Sequence, residues 1–428
     1  MSKLRGITRV HMIGIGGIGM SALAQYLADH GVRVTGSDRE PSPVTELLEK
    51  KGIRVLLAQG PENVPLDAEI IVYSEAVWAD NPERMRAKEL GIEERSYFEM
   101  LGFISLEKRT VAVAGTHGKT TTTSMLARIL KDAGASPTAI VGSLVRDFGS
   151  NYLPGKSDWL VVEACEYRRD FLTLQPEVLV VTNIELDHTD YYKNLADVQN
   201  AFRALMEKVP PNGMIVTDTS SITIAPLLEG LQARVVDYTK EAGYSTRFPG
   251  EFNRMNARAA TAAARIVMPE IQEDTLRSAL GAFEGTWRRF EYKGKTKQGA
   301  DVYDDYAHHP TAVAKTLIEL RKKTDKKIFV AFHPHLYSRT RDLLEDFARA
   351  FTGVDRVLIA PIYAAREPDD GSVSNQILAD RIKWNGVDAT AGTFEEIQHF
   401  LETTPKEGDI VMTMGAGDIY KVADALVA

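Results

Sequence analysis

The stretch Thr110-Val-Ala-Val-Ala-Gly-Thr-His-Gly-Lys-Thr-Thr-Thr-Thr123 decides how this chain is read. An apolar, β-branched segment stops at Gly115, and a helical pattern starts after Gly118-Lys119-Thr120. A strand that passes into a helix through glycines aims several backbone N–H groups and a helix N-terminus at one point, which suits a nucleotide's phosphates. Lys119 adds a mobile positive charge, and the Thr120 hydroxyl suits an accompanying Mg²⁺. The strict phosphate-loop pattern asks for glycine five residues before Gly118, where this chain has Val113. The spelling fails while the physical parts survive. The plainer alternative is a threonine-rich helix cap after a buried strand.

Working outward, three segments each alternate strand-like and helix-like patterns, which predicts an α/β fold of mostly parallel sheets flanked by helices. The first has strands at 9–14, 32–36, 53–57 and 69–74 and helices at 19–30 and 81–90. The second holds the phosphate-loop strand, a helix at 121–132, apolar strands at 159–163 and 178–183, and an alanine-rich helix at 256–267. Residues 220–249 carry little periodicity. The third has strands at 300–306, 327–332, 356–361 and 409–414, with helices at 311–322 and 341–352. Pauses in the pattern near residues 101–108 and 285–299 read as boundaries, giving Rossmann-like domains at 1–105 and 293–428 around a nucleotide-binding domain at 106–292.

The chain of 428 residues fits two to three domains. Its formal charge of −8 leaves no basic surplus for nucleic acid or an anionic membrane surface. Lys3, Arg5 and Arg9 before the apolar run 10–24 imitate an export signal, but four glycines and His11 interrupt that run and its pattern continues as a helix through Leu27. No stretch is long and apolar enough to span a bilayer. The expectation is a cytoplasmic protein without membrane insertion. Its single cysteine, Cys165, fits a reducing compartment and reads as a small packed residue rather than a nucleophile.

A second glycine loop, Gly14-Ile-Gly16-Gly17-Ile18-Gly19, follows a strand and opens a helix, with Asp38 closing the next strand. That is the dinucleotide fingerprint in its proper context, with Asp38 set to reach a sugar or base. Taken alone it suggests a nicotinamide enzyme. A dehydrogenase has no use for a Lys-Thr phosphate loop, whereas an ATP-dependent enzyme acting on a sugar nucleotide needs both loops. Glu163 at one strand end and His188 after another are candidate metal ligands. Mg²⁺ prefers oxygen, so His188 also reads as a hydrogen-bonding partner of Asp187 or Glu185. Tyr303-Asp-Asp-Tyr-Ala-His-His-Pro310 and His333-Pro-His-Leu-Tyr-Ser-Arg-Thr-Arg341 stand at further strand ends. There carboxylates suit ribose hydroxyls, and Arg339 with the histidines suits an anionic substrate. Plain turns with helix caps are the alternative.

Together these residues resemble the Mur ligase family. The likeness rests on Gly14–Ser21, Gly115–Thr122, Glu163-Ala-Cys-Glu-Tyr167, Thr182-Asn-Ile-Glu-Leu-Asp-His188, Asp304–Pro310 and Met414-Gly-Ala-Gly417, and spans nearly the whole chain. It implies an ATP-dependent amide-forming ligase that joins L-alanine to the carboxylate of UDP-N-acetylmuramate through an acyl phosphate. By that likeness Gly14, Gly16, Gly17, Ile18, Gly19, Asp38 and Ser74 hold the UDP substrate. Gly115, Thr116, His117, Gly118, Lys119, Thr120, Thr121, Asn256, Arg289 and Asp305 serve ATP, with Asn256 at adenine and Asp305 at ribose. Thr120, Glu163 and His188 hold two Mg²⁺ ions, Lys119 and both metals handling the charge of the meeting anions. Tyr306, His308, His335 and Arg339 surround the amino acid and acyl group, with His308 a candidate proton acceptor. The resemblance leaves open a monomer or a homodimer, a sister ligase that attaches a tripeptide, and a regulator that uses ATP as a switch. Four departures stand out: Phe252 in place of a common His, Leu336 of a common Arg, Glu75 of a common Ser, and a short region at 217–249.

Overall fold

The computed structural model describes residues 6–248, 250–365 and 367–427. Lys3, Arg5 and Pro249, each used in reading the sequence, lie outside that range. Three sheets form. In the first, β1 (Arg9–Ile13), β2 (Arg33–Asp38), β3 (Arg54–Leu57), β4 (Ile70–Tyr73) and β5 (Glu93–Ser96) pair in parallel in the order β3-β2-β1-β4-β5. The strand order reverses between β1 and β4, the switch point at which parallel sheets present a ligand crevice.

The second sheet holds β6 (Arg109–Ala114), β7 (Thr138–Val145), β8 (Ser150–Leu153), β9 (Trp159–Glu163), β10 (Val178–Val181), β11 (Met214–Thr217) and β12 (Arg234–Asp237). Their order is β12-β11-β10-β6-β9-β7-β8, and β8 alone runs antiparallel, to β7. β6 lies between β9 and β10, covered on both faces, which is why Val111–Ala114 read as an unbroken apolar run. The third sheet runs β13-β14-β18-β15-β16-β17, built from β13 (Glu291–Lys295), β14 (Asp301–Asp305), β15 (Ile328–Phe332), β16 (Arg356–Ile359), β17 (Ala389–Ala391) and β18 (Ile410–Met414). Only the edge strand β13 is antiparallel. The expected mostly parallel architecture holds throughout.

Two compact units carry these sheets. One comprises Met1–Glu185, Ala196–Arg247 and Arg254–Thr286, with the first two sheets; the other comprises Leu186–Leu195, Phe248–Asn253 and Trp287–Ala428, with the third. The boundary placed near residue 105 falls inside a helix, Tyr97–Glu107, which ends two residues before β6. Its sequence YFEMLGFISLE is apolar almost all round and shows no stripe, yet Ser96 and Glu99 close a capping box at its start. The pause read at 285–299 contains β13, which forms a hairpin with β14. The single helix expected at 341–352 is two, Tyr337–Asp342 and Leu344–Ala350, parted at Leu343.

One buried polar network braces the first sheet. The Glu83 carboxylate, fully buried, accepts from Ser37 Oγ at 2.7 Å, Asn63 Nδ2 at 2.8 Å and Gly60 N–H at 3.2 Å, and lies 3.1 Å from His11 Nε2. Burial opposes its charge, but His11, Asn63 and Ser37 more than offset that and hold its pKa below the usual carboxylate value. The carbonyl of the same Ser37 accepts from Gly14 and Ile15 N–H, so the network sets the root of the first glycine loop.

Candidate active site

In the first loop Gly14 has φ +78°, a conformation open to glycine, and an added Cβ would sit 3.1 Å from the Ser74 Cβ. Ser74, at the end of β4, thus borders the loop directly. Gly17 N–H bonds back to the Gly14 carbonyl at 3.1 Å, and the helix Ile18–Asp29 begins at the next residue. Asp38 has an internal partner: Oδ2 accepts from Gly16 N–H at 2.8 Å and Oδ1 from Arg39 N–H at 2.8 Å. The structure places Asp38 as the anchor that shapes the loop.

The second loop joins β6 to the helix Lys119–Asp132. Gly118, the residue before that helix, has φ +85°, and any Cβ there would run into the Asn256 amide oxygen. Asn256 therefore stands against the loop. The end of β10 clamps the loop from the other side: His117 N–H donates to Asn183 Oδ1 at 2.9 Å, and Thr182 Oγ1 donates to the His117 carbonyl at 2.6 Å. Thr116 Oγ1 accepts from Glu185 N–H at 2.9 Å. The Thr182–Glu185 motif is a brace for the phosphate loop. Within the helix, Thr123 and Ser124 hydroxyls bond back to carbonyls four residues earlier, which makes the polar run compatible with a buried helix.

The carboxyl ends of β6 and β9 bring the chemistry together. Thr120 Oγ1 donates to Glu163 Oε1 at 2.9 Å, while Gly142 N–H on β7 donates to Glu163 Oε2 at 2.8 Å. Lys119 Nζ lies 2.8 Å from Glu166 Oε2 and donates to the Gly115 carbonyl at 2.6 Å. Burial opposes the lysine's charge, but Glu166 more than offsets it and raises the pKa above the usual value. Burial pushes the Cys165 thiol up to about 12, with Glu166 adding to the effect, so Cys165 stays protonated and is no nucleophile.

The second unit assembles its own cluster. Arg339, 2% exposed, donates from Nε and Nη2 to Asp187 Oδ1 at 2.9 and 2.7 Å, and its Nη1 lies 3.1 Å from His335 Nδ1. Burial would raise the pKa of Asp187, but Arg339 and then His188 hold it well below the carboxylate range. His188 follows at φ +54°, its N–H donating to the same Oδ1 at 2.6 Å. His308 is half-buried, and its pKa is held far below the usual value, through desolvation and then Arg339, which keeps it neutral. Its Nδ1 lies 2.9 Å from the Tyr306 carbonyl, which must accept and so fixes the proton on Nδ1 and leaves Nε2 an acceptor. The His308 ring packs against Tyr306 and His335 at 5.2 and 5.9 Å, and His335 stacks on Tyr363.

Asp305 accepts from Phe290 N–H through Oδ2 and from Ala307 N–H through Oδ1, both at 2.7 Å. Burial nevertheless raises its pKa. Arg289 lies over the Tyr306 ring at 5.0 Å. Its neighbour Arg288 is buried and committed, bonding Asp304 Oδ2 at 2.7 Å and the carbonyls of Gly415 and Gly417 at 2.6 and 2.8 Å. Leu336 is buried at φ +71°, so this position meets the interior and not a carboxylate.

The sequence of the chain matches the description "Mur ligase family, catalytic domain" over residues 9–109, "Mur ligase middle domain" over 113–244 and "Mur ligase, glutamate ligase domain" over 288–417. The chain belongs to the Mur ligase family. Among its relatives, the UDP-N-acetylmuramate–L-alanine ligase of Clostridium acetobutylicum is 36% identical over 450 residues, covering 98% of this chain and 97% of that protein. The same-named ligase of Alkaliphilus metalliredigens is 37% identical over 452 residues, covering 99% and 97%. Among solved structures, the UDP-N-acetylmuramate-alanine ligase of Thermotoga maritima aligns with TM-score 0.82 at 27% identity over 98% of both chains. A murein peptide ligase of Psychrobacter arcticus shares the fold at TM-score 0.75 and 23% identity, covering 98% of this chain and 100% of that one.

Of the residues assigned by the Mur ligase likeness, Thr120, Lys119, Glu163, Asn256 and the glycine loop meet within one unit, and Tyr306, His308, His335, Arg339 and His188 gather in the other. Glu166 and Arg288, which the sequence reading gives no role, prove structural to the site, and so does Asp187, read there only as a partner of His188. Glu166 and Asp187 each stood inside a quoted motif, three residues after a strand-end carboxylate and one before a histidine, and that position was their only signal.

Proposed function

We propose that the chain is an ATP-dependent ligase that joins L-alanine to the carboxylate of UDP-N-acetylmuramate through an acyl phosphate, a step of peptidoglycan precursor synthesis in the cytoplasm. The observation that carries this reading is the Lys119–Thr120–Glu163 constellation at the carboxyl ends of β6 and β9, in a chain related end to end to ligases of that name. A carboxylate and an amine do not condense in neutral water, so the carboxylate needs a leaving group. The lactyl carboxylate attacks the γ-phosphorus of ATP, ADP departs, the alanine amine attacks the acyl carbon, and phosphate leaves.

The residues present fit the groups this requires. A hydroxyl and a carboxylate oxygen 2.9 Å apart at Thr120 and Glu163 form a hard-oxygen pair suited to Mg²⁺. When bound, Mg²⁺ reduces the repulsion between the carboxylate and the γ-phosphate. Loop N–H groups and Lys119 cradle the phosphates, and positioning with charge stabilisation supplies the rate. The first glycine loop takes the UDP diphosphate, Asp38 keeping its shape. Glu163 would also hold a second Mg²⁺, for which His188 is a further candidate ligand, Asn256 would meet adenine, and Asp305 and Arg289 would meet the rest of ATP. Neutral His308 has an open Nε2 with which to take the proton of the alanine ammonium. Among the described residues no helix is long and apolar enough to cross a membrane.

The test is phosphate release from ATP with UDP-N-acetylmuramate and a panel of amino acids, with the murein tripeptide as a further acceptor. Release that depends on both the sugar nucleotide and L-alanine is expected. Release only with the tripeptide assigns the sister reaction, and none with any acceptor overturns the ligase reading.

A further inference from the structure

The ammonium of Lys119 is fully committed to the protein. It has three N–H donors, and four acceptors surround it: the Gly115 and Thr116 carbonyls at 2.6 and 3.2 Å, and Glu166 Oε2 and Oε1 at 2.8 and 3.2 Å. Glu166 is 2% exposed. Its own turn is fixed: Arg169 N–H donates to the Glu166 carbonyl at 2.9 Å, and the Arg169 side chain pairs with Asp197 at 2.6 Å. Arg168 and Arg169 hold φ +51° and +63° within that turn, a conformation non-glycine residues rarely adopt. The carboxylate is thus built to stand beside the lysine. It does not drift there.

A lysine in such a loop reaches the β- and γ-phosphates of the nucleotide. To do so here, it must exchange a buried carboxylate for a phosphate oxygen. Glu166 is then left as an anion beside another anion, in surroundings that screen charge poorly. We infer that Glu166 is a positioning residue that competes with the nucleotide's β-phosphate for Lys119. The inference rests on the nucleotide reading above. Two effects with opposite signs follow. Glu166 weakens nucleotide binding, and it keeps the lysine aimed along the loop, which favours turnover.

Glu166→Gln tests both effects in the full-length protein. Calorimetric titration with ADP in excess Mg²⁺ should show about tenfold tighter binding, equivalent to about 1.4 kcal/mol. AMP, which lacks the β-phosphate, should bind as it does to the parent protein. In turnover with ATP, KM for ATP should fall while kcat also falls, a split that general loosening of the fold does not produce. ADP binding that is unchanged or weaker overturns the inference, as does equal tightening of ADP and AMP, which would mean plain charge repulsion. If the glutamine variant does not fold, Glu166→Asp withdraws the carboxylate by one methylene and should tighten ADP by a smaller factor; no change there is equally fatal. Failure of the parent protein to bind ADP would sink the nucleotide reading itself, a separate result.

Discussion

Arg339 was assigned to an incoming anion, yet two of its N–H groups are spent on Asp187 Oδ1 at 2.9 and 2.7 Å, deep inside the second unit. The substitution Asp187→Asn asks which role dominates. It removes the negative charge and leaves the guanidinium, 2% exposed, beside a neutral amide. Breaking one side of a buried ion pair costs about 3–5 kcal/mol, because the surviving charge loses its compensation. In a unit of this size each kcal/mol moves the melting temperature by roughly 2–4 °C, so a fall on the order of 10 °C is expected. The assay is calorimetry backed by urea titration, with Asp187→Leu/Arg339→Met alongside. The double apolar variant should recover most of the loss, since well-packed apolar pairs often match buried ion pairs. Arg339→Lys supplies the contrast: it keeps a charge but loses the forked geometry, and should fall between the two. A loss below about 1 kcal/mol for Asp187→Asn, the range of exposed pairs, would refute the reasoning. It would return Arg339 to the role of a substrate contact.

Lys119→Ala should lower kcat by about 10²–10³, the range for one electrostatic contact to a developing charge, while calorimetry shows UDP-N-acetylmuramate still binding. Glu163→Ala should raise the Mg²⁺ concentration for half-maximal rate by at least about tenfold, by analogy with the loss of an orienting partner at a metal site; an unchanged Mg²⁺ curve removes Glu163 from the metal. Asn151 on β8 ties the first loop's helix to the second sheet, donating to the Ile18 carbonyl and to Ser21 Oγ at 2.5 and 2.8 Å. Asn151→Leu should therefore cost about 1–3 kcal/mol in urea unfolding and raise KM for the UDP substrate. Burial, and then Glu75, push Asp170 up to about 7 from an ordinary 3.8. The folded state then holds a proton that the unfolded chain releases, so this stabilisation is complete below about pH 4 and is lost as pH rises to about 7. Glu75→Ser should flatten that slope between about pH 4 and 7 in urea titrations, by about 1 kcal/mol or less because the side chain is partly solvated.

The strands were legible because burial on both faces writes itself as unbroken β-branched runs, as in β6 and β10. The two glycine loops were legible for a different reason. Positive φ at Gly14 and Gly118 admits few residues, so geometry leaves a spelling behind. What the sequence hid was of two kinds. The helix Tyr97–Glu107 carries apolar residues on its outward side as well, Leu106 among them, and so lacks the amphipathic stripe by which helices are read. The pairings of Lys119 with Glu166 and Arg339 with Asp187 join residues 47 and 152 positions apart, and no local pattern encodes such a distance. The motifs marked where charge would gather. They could not mark which charges were already spent.

That distinction bears on how two anions are brought together in a protein of net charge −8. Lys119 and Arg339, cations assigned to substrate, each have a carboxylate within 2.8 Å inside their own unit, and Arg288 is likewise held by Asp304 at 2.7 Å. Such pairing keeps a ligand-free site from holding uncompensated buried charge, which would destabilise the fold by several kcal/mol per ion. It also means that a phosphate or carboxylate entering the site gains little net charge from these side chains, because each gain releases an anion. The balance must then come from groups that carry no counter-ion of their own. Loop N–H dipoles at Gly115–Lys119 are one such group. On the proposed reading a divalent cation arriving with the nucleotide is the other, and it would bring two positive charges to the Thr120–Glu163 pair at once. Activity should therefore depend more steeply on Mg²⁺ than on any single one of these cationic side chains.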